Sequence, residues 1–267
     1  MKKKELFDRL WADYSAQNPS AKAIHNLFRN EGENFLNDHI AFRTFDDPRI
    51  NIDVLSQKFI EAGYEEAGNY RFEEKKLFAK HYEIKSEPDA PKIFISQLIT
   101  SEFSDFLRQK ITEKLNEIPD HLYGSGDLIF AGVPWTKPSY EVYRKLMDES
   151  EYAAWLYVHG FRANHFTVFS NSMKKYERLE DLNDLLKKNG FVMNSSGGEI
   201  KGTPEQLLQQ SSIMADIVKI EFKEGVFEVP ACYYEFARRY PDKSGKLYNG
   251  FIAASADKIF ESTNYRK

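Results

Sequence analysis

Apolar residues recur at helical spacing in some stretches of the chain and at every second position in others, and the change between the two periods divides it into elements. Residues 5–29 read as helical, with Leu6, Leu10 and Trp11 on one face and Ile24, Leu27 and Phe28 on another, separated by Asn18-Pro19-Ser20. A strand is expected from about 38 to 45, followed by a loop containing Pro48 and a helix near 51–62 that puts Ile52, Leu55, Phe59 and Ile60 on one side. Gly63 ends that helix as a left-handed cap. Strands then follow near 69–73, 77–85 and 92–99.

Residues 101–160 read as a mostly helical insertion, carried by Phe103, Phe106, Leu107, Tyr143, Leu146, Trp155 and Val158 and punctuated by Gly124-Ser125-Gly126 and Pro134. The earlier order then returns. A strand at 163–170 leads to a helix at 176–189 built on Leu179, Leu182, Leu185 and Leu186, and then to strands near 191–193, 211–222 and 226–237. The two opening strands resemble each other, Asn37-Asp38-His39-Ile40-Ala41-Phe42-Arg43 against Ala163-Asn164-His165-Phe166-Thr167-Val168-Phe169. The offset from histidine to helix-ending glycine is 24 residues in the first copy and 25 in the second, which indicates a duplicated unit.

The pattern predicts an α+β fold of two β-α-β-β-β modules in a single domain over residues 1–267. Its parts are a helical lead-in (1–36), a first module (37–99), a helical insertion (100–160), a second module (161–239) and a tail (240–267). Phe251, Ile252, Ile259 and Phe260 make the tail too apolar for a disordered segment, so it is expected to pack over the sheets.

Composition narrows the function. A net charge of −4 and a pI near 5.9 argue against a nucleic-acid surface, which needs a basic patch. No window is long and apolar enough for a membrane span, and Asp8, Arg9 and Asp13 interrupt what a signal peptide would keep apolar. Cys232 is the only cysteine, which excludes an internal disulfide and a multi-cysteine zinc site; it fits a reducing compartment, and a cytoplasmic protein is expected. Cys232 itself reads as a small core residue.

Candidate chemistry comes from strand alternation. His39, Ala41 and Arg43 share one face of their strand, His165, Thr167 and Phe169 one face of theirs, and Ala231, Tyr233 and Glu235 one face of the last. His39, His165 and Glu235 can therefore point from three strands into one concave surface. Two imidazoles and a carboxylate leave coordination positions open, as in non-haem Fe(II) oxygenases, and zinc, manganese, nickel or cobalt suit the same ligands. Against this, a single histidine at the head of a strand is more often a hydrogen-bonded structural residue, and a lone glutamate there an edge-strand charge. His25, His81, His121 and His159 read as structural or exposed. Arg43 serves either a substrate carboxylate or an internal salt bridge with Asp38, Asp46 or Asp47.

The duplicated β-α-β-β-β pattern resembles the vicinal-oxygen-chelate superfamily. More narrowly, four pieces are similar to the 2-oxoadipate dioxygenase/decarboxylase (hydroxyglutarate synthase) family: His39-Ile40-Ala41-Phe42-Arg43, Asn164-His165-Phe166-Thr167, Tyr234-Glu235-Phe236, and the tail from Gly250-Phe251 through Ala256-Asp257-Lys258-Ile259-Phe260-Glu261-Ser262-Thr263. The resemblance implies an open barrel in which His39, His165 and Glu235 hold Fe(II) and Arg43 binds a substrate carboxylate. It places Gln97 at the fourth ligand position of the superfamily, where, as a poor ligand, it is expected to line the substrate together with Thr167. The implied reaction uses dioxygen to decarboxylate and hydroxylate a 2-oxo acid, 2-oxoadipate giving 2-hydroxyglutarate and carbon dioxide. Two other readings stand beside it: a redox-inert metal-dependent isomerase, lyase or hydrolase of the glyoxalase type, and a non-catalytic binder of a small acidic metabolite.

Overall fold

The structure is a computed structural model that describes residues 2–263. The chain opens with two helices, α1 (Lys3–Gln17) and α2 (Pro19–Asn30), divided where expected. Asn18 makes the corner: its Nδ2 donates to the Tyr14 carbonyl (2.7 Å) and its Oδ1 accepts from the Cys232 amide (2.9 Å). The break between the helices is thus tied to the strand region that carries the metal-ligand candidate Glu235.

The first module follows as β1 (Leu36–Phe45), two short helices α3 (Ile52–Leu55) and α4 (Gln57–Glu61), then β2 (Glu65–Phe72), β3 (Leu77–Glu83) and β4 (Lys92–Leu98). The single helix expected near 51–62 is interrupted at Ser56, whose hydroxyl bonds back to the Asp53 carbonyl and competes with the helical ladder. Gly63 does adopt a positive φ of 96° after the second piece. Helices α5 (Asp105–Leu115), α6 (Tyr140–Glu149) and α7 (Glu151–His159) span the region of the predicted insertion.

The second module contributes β5 (Ala163–Phe169), α8 (Leu179–Lys188), β6 (Leu208–Ser212), β7 (Ile217–Phe222), β8 (Gly225–Pro230) and β9 (Glu235–Arg239), and α9 (Ala253–Phe260) with a short 3-10 turn (Glu261–Thr263) closes the described chain. Two of its strands differ from expectation. The run 226–237 divides into β8 and β9, because Pro230 ends one ladder and the Ala231 and Cys232 amides leave the sheet for Asp216 and Asn18. The run 211–222 breaks likewise, so β7 and β8 form a separate two-stranded ribbon. The strand expected at 191–193 shrinks to one bridge, Met193 to Ile213.

Seven strands form one curled sheet in the order β2-β3-β4-β1-β5-β9-β6. The opening strands β1 and β5 meet antiparallel at the centre, and each pairs in parallel with the last strand of its own module, β4 or β9. This is the duplicated α+β half-barrel of the vicinal-oxygen-chelate type. Its outer face is apolar and covered by helices: Phe42 meets Phe59, and Phe166 packs against Trp11 and Tyr14 with ring centroids 5.1 and 4.9 Å away. Its concave face carries the polar residues. The tail lies across that face, burying Phe251, Ile259 and Phe260; the part of the tail expectation that concerns 264–267 lies outside the described residues.

Candidate metal centre

Strand register brings the three ligand candidates together. His39 on β1 pairs with Thr167 on β5, which pairs with Glu235 on β9, so the three stand in one row across the central strands. His39 and Glu235 are two strands apart, about 10 Å along the sheet, and only a small side chain between them lets both lean over the middle strand. Thr167 is that residue; its hydroxyl lies 3.1 Å from His39 Nε2. His165, one rung along the same face, completes the group.

Each of the three offers a ligand atom, and these atoms lie within 4.8 Å of one another. His165 Nε2 is 3.3 Å from His39 Nε2 and 3.2 Å from Glu235 Oε2, and His39 Nε2 is 3.6 Å from Glu235 Oε1. All three side chains are buried.

Residues beside each histidine decide how it can act. His39 Nδ1 bonds Asp38 Oδ1 (2.8 Å), and His165 Nδ1 bonds Asn164 Oδ1 (3.1 Å). An oxygen acceptor at Nδ1 keeps the proton there and turns the Nε2 lone pair toward the shared centre. Asp38 can reach the ring because β1 carries a register irregularity between Asn37 and His39. Asp38 is itself gripped by Arg239, with Nε and Nη2 at 2.6 and 2.9 Å from its two oxygens. Arg239 Nη1 donates to the carbonyls of Tyr248 and Gly250, both at 2.8 Å, so the same guanidinium holds down the start of the tail.

The electrostatics fit a cation. Burial pushes both imidazoles below the ordinary histidine value, His165 well below it, and His39 and Arg43 add to the effect there. Neutral imidazoles are the ligand-competent form. Burial also pushes the Glu235 carboxyl up to about 8, against the hydrogen bond from Gln210 Nε2 to its Oε1 (2.6 Å). Its Oε2 is buried without a hydrogen-bond partner among the described residues. Burial alone would raise Asp38 too, but the Arg239 guanidinium and the His39 bond outweigh it and hold that carboxyl well below the usual range. Two converging lone pairs beside an unpartnered carboxylate oxygen are what a divalent metal satisfies and what an apolar core does not tolerate.

Arg43 is fully buried on the same concave face. It pairs with none of Asp38, Asp46 and Asp47. Its Nη1 instead donates to Glu151 Oε1 at the start of α7 (3.0 Å), and its guanidinium lies against the rings of Tyr152 and Trp155, at 4.8 and 5.1 Å. Asp46 accepts from Thr100 and Asp47 from Arg49. Arg43 Nε and Nη2, the two donors on one edge of the guanidinium, have no hydrogen-bond partner among the described residues. That edge is the one that grips a carboxylate by two parallel hydrogen bonds.

Gln97 is not part of this surface. It pairs with Thr44 in the β1–β4 register, and its Oε1 accepts the Ile52 amide (3.2 Å) at the start of α3, so it lies on the helix-covered side. The repeat identifies the residue at the fourth position: His165 corresponds to His39 and Thr167 to Ala41, and Ala41 pairs with Phe94 as Thr167 pairs with Glu235. A phenylalanine cannot ligate, which leaves three candidate protein ligands. His81 is buried between Tyr70 and Glu83, His159 bonds the Pro230 carbonyl, and neither joins the centre.

Sequence reasoning missed Asp38, Asn164, Gln210 and Arg239. A signal existed for two of them, since both histidines are preceded by a residue with an Asx side chain. The cleft over the triad, lined by Phe94, Phe251, Ile259, Phe260 and Gln210, encloses about 10 Å³, room for about one water. A roomier cavity of about 420 Å³ lies beyond the Asp38–Arg239 pair, lined by Lys92, Lys246 and Asn249 among others.

Comparison with known proteins identifies the family. The family model described as 2-oxoadipate dioxygenase/decarboxylase matches residues 6–123 and 127–246. A 2-oxoadipate dioxygenase/decarboxylase of Oryza sativa subsp. japonica, chloroplastic/amyloplastic, is 35% identical over 94% of this chain and 76% of its own length. Among solved structures, the hydroxyglutarate synthase of Oryza sativa in complex with 2-oxoadipate superposes with a TM-score of 0.90 at 31% identity, covering 98% of this chain and 91% of that one. A Shewanella frigidimarina protein provisionally named a hydrolase has a TM-score of 0.88 at 47% identity, covering 94% and 97%. A glyoxalase-superfamily protein of Ralstonia eutropha shares the fold alone, with a TM-score of 0.75 at 20% identity over 91% and 83% of the two chains. With the family model spanning most of its length and a curated relative above 30% identity, the chain belongs to the 2-oxoadipate dioxygenase/decarboxylase family of enzymes.

Proposed function

We propose that this protein is a mononuclear Fe(II) dioxygenase that converts 2-oxoadipate and dioxygen to 2-hydroxyglutarate and carbon dioxide. The single observation that carries the reading is the juxtaposition, on one concave face, of a buried two-histidine, one-carboxylate group and a buried arginine with an unpartnered carboxylate-binding edge. The first suits a metal with open coordination positions, and the second suits the far carboxylate of a dicarboxylic acid. Both atoms of dioxygen end in the products, so no further reductant is needed.

Bound Fe(II) would supply the activation of dioxygen and of the 2-oxo acid. The chain supplies the rest. His39, His165 and Glu235 would hold the metal, and Asp38 and Asn164 fix the two rings in the tautomer that presents Nε2. Arg43, held flat against Tyr152 and Trp155 and anchored by Glu151, sets the reach of the substrate by binding its distal carboxylate. Thr167 lies under the ligand row and spaces it. Phe251, Ile259 and Phe260 exclude water from the centre, and they must give way to admit a six-carbon acid, because the closed cleft is far too small for one.

The test is anaerobic loading with Fe(II) followed by 2-oxo acids of graded length in the presence of oxygen. Oxygen uptake matched by carbon dioxide release, greatest with 2-oxoadipate, is the expected result. Turnover that proceeds equally without oxygen overturns the reading in favour of redox-inert metal chemistry of the glyoxalase type.

A further inference from the structure

Glu235 is preceded, two positions back and on the same face, by Tyr233, whose hydroxyl is fully buried and has no hydrogen-bond partner among the described residues. Native interiors seldom leave such a group unmatched, since a buried hydroxyl without a partner costs about 1–3 kcal/mol. The ring is well fixed. It stacks on His165 with centroids 4.8 Å apart and planes at 27°, and its backbone carbonyl accepts the Tyr14 hydroxyl. The hydroxyl therefore stands where packing puts it, within electrostatic reach of Glu235 on one side and of the Arg43–Glu151 pair on the other.

Two further buried donors without partners among the described residues belong to the same region, Arg43 Nε and Nη2. One unmatched group can be an accident of packing or a place for a water. Three donors over one concave face, two from Arg43 on β1 and one from Tyr233 just ahead of β9 with β5 between those strands, and with a carboxylate the expected visitor, make a cradle. Tyr234 provides the contrast. Its hydroxyl is also unpartnered among the described residues, but its ring lies on the helix-covered side, among the rings of Trp11, Tyr14 and Phe236, away from the concave face.

We propose that Tyr233 contacts the substrate: its phenol donates a hydrogen bond to the distal carboxylate of the 2-oxo dicarboxylic acid and completes, with Arg43 Nε and Nη2, a three-donor cradle. This rests on the function proposed above and names a specificity residue within it. The hydroxyl then selects dicarboxylic over monocarboxylic 2-oxo acids of equal length, because a chain ending in a methyl group leaves all three donors unmatched.

The experiment compares wild type, Tyr233→Phe and Tyr234→Phe, each keeping its ring and its packing. Three quantities are read: the Tm of the ligand-free protein, the Kd for 2-oxoadipate under anaerobic conditions with Fe(II), and turnover of 2-oxoadipate in air. Loss of a hydrogen bond to a carboxylate corresponds to about 10- to 100-fold in affinity. Tyr233→Phe is expected to weaken 2-oxoadipate binding by that factor with an unchanged or higher ligand-free Tm, whereas Tyr234→Phe leaves Kd within twofold of wild type. A Tyr233→Phe protein that binds 2-oxoadipate within twofold of wild type, while wild type turns it over, overturns the cradle alone and assigns the hydroxyl to a buried water. A fall of several degrees in its ligand-free Tm overturns it too, since the hydroxyl would then be structural. Wild-type protein that neither binds nor converts 2-oxoadipate overturns the function and the cradle together.

Discussion

Replacing Asp38 by Asn separates two roles that one carboxylate performs, orienting His39 and neutralising Arg239. The second module already shows that an amide suffices for the first, since Asn164 holds His165 through its Oδ1. Loss in the variant therefore comes mainly from Arg239, which is 2% exposed and donates two charge-assisted bonds to Asp38 at 2.6 and 2.9 Å. Breaking a buried ion pair from one side costs about 3–5 kcal/mol, because a desolvated charge is left uncompensated. Removing a group that orients a metal-binding histidine typically costs about 10- to 100-fold in metal affinity, and the amide's competence puts Asp38→Asn at the lower end. The pH dependence has a definite sign. The folded carboxyl titrates well below its unfolded value near 3.9, so the stabilisation is fully present above about pH 4 and fades as pH falls through the folded value. Urea unfolding of metal-free protein at neutral pH, with Fe(II) or Zn(II) titration alongside, measures both effects. A variant within 1 kcal/mol of wild type at pH 7 would refute the assignment of a buried, structurally important pair.

Three other outcomes follow from the same geometry. Arg43→Lys keeps the charge but loses the two-donor edge, so kcat/KM for 2-oxoadipate should fall at least about 100-fold with metal content unchanged; equal loss of metal would instead give Arg43 a role in the centre itself. Metal binding must expel the proton that the raised Glu235 carboxyl carries, so affinity should climb as pH rises toward about 8, while the carboxyl's own contribution to metal-free stability is present at low pH and lost across that interval; affinity independent of pH between 6 and 8.5 contradicts this. Phe251→Ala removes a ring that meets His39, Phe94 and His81 at centroid distances of 4.9, 4.9 and 5.4 Å, and should cost about 3 kcal/mol of stability and speed removal of bound metal by a chelator; unchanged chelation kinetics would mean that the ring does not limit access.

Strand periodicity carried the central reading because it is local. His39, Arg43, His165 and Glu235 each needed only the alternation of faces along their own strand, and the repeat supplied the rest. Gln97 went astray by the three residues that separate it from Phe94, an odd number, which turns a side chain to the opposite face. Within the run 226–237 the division of β8 from β9 falls at Pro230, and the hydrogen bonds of the Ala231 and Cys232 amides to distant partners, which the sequence does not show, fix it there. Pairings across long separations left no trace in the pattern: Arg43 with Glu151 is 108 residues apart, and Asp38 with Arg239 is 201. The tail's apolar residues announced that it packs, but not that it packs over the ligand row, since composition measures the need for burial and not its place.

Arg239 joins the carboxylate that orients His39 to the backbone of the covering segment, and the two sites so joined cannot respond independently. Whatever free energy a bound cation lends to closure, closure must lend back to cation affinity, because linkage between two equilibria is symmetric. The shut molecule would then retain its ion more tenaciously than the gaping one. Cycles of admission and release would thereby shield the ion during chemistry and put it at risk only in the intervals when the cleft stands ajar.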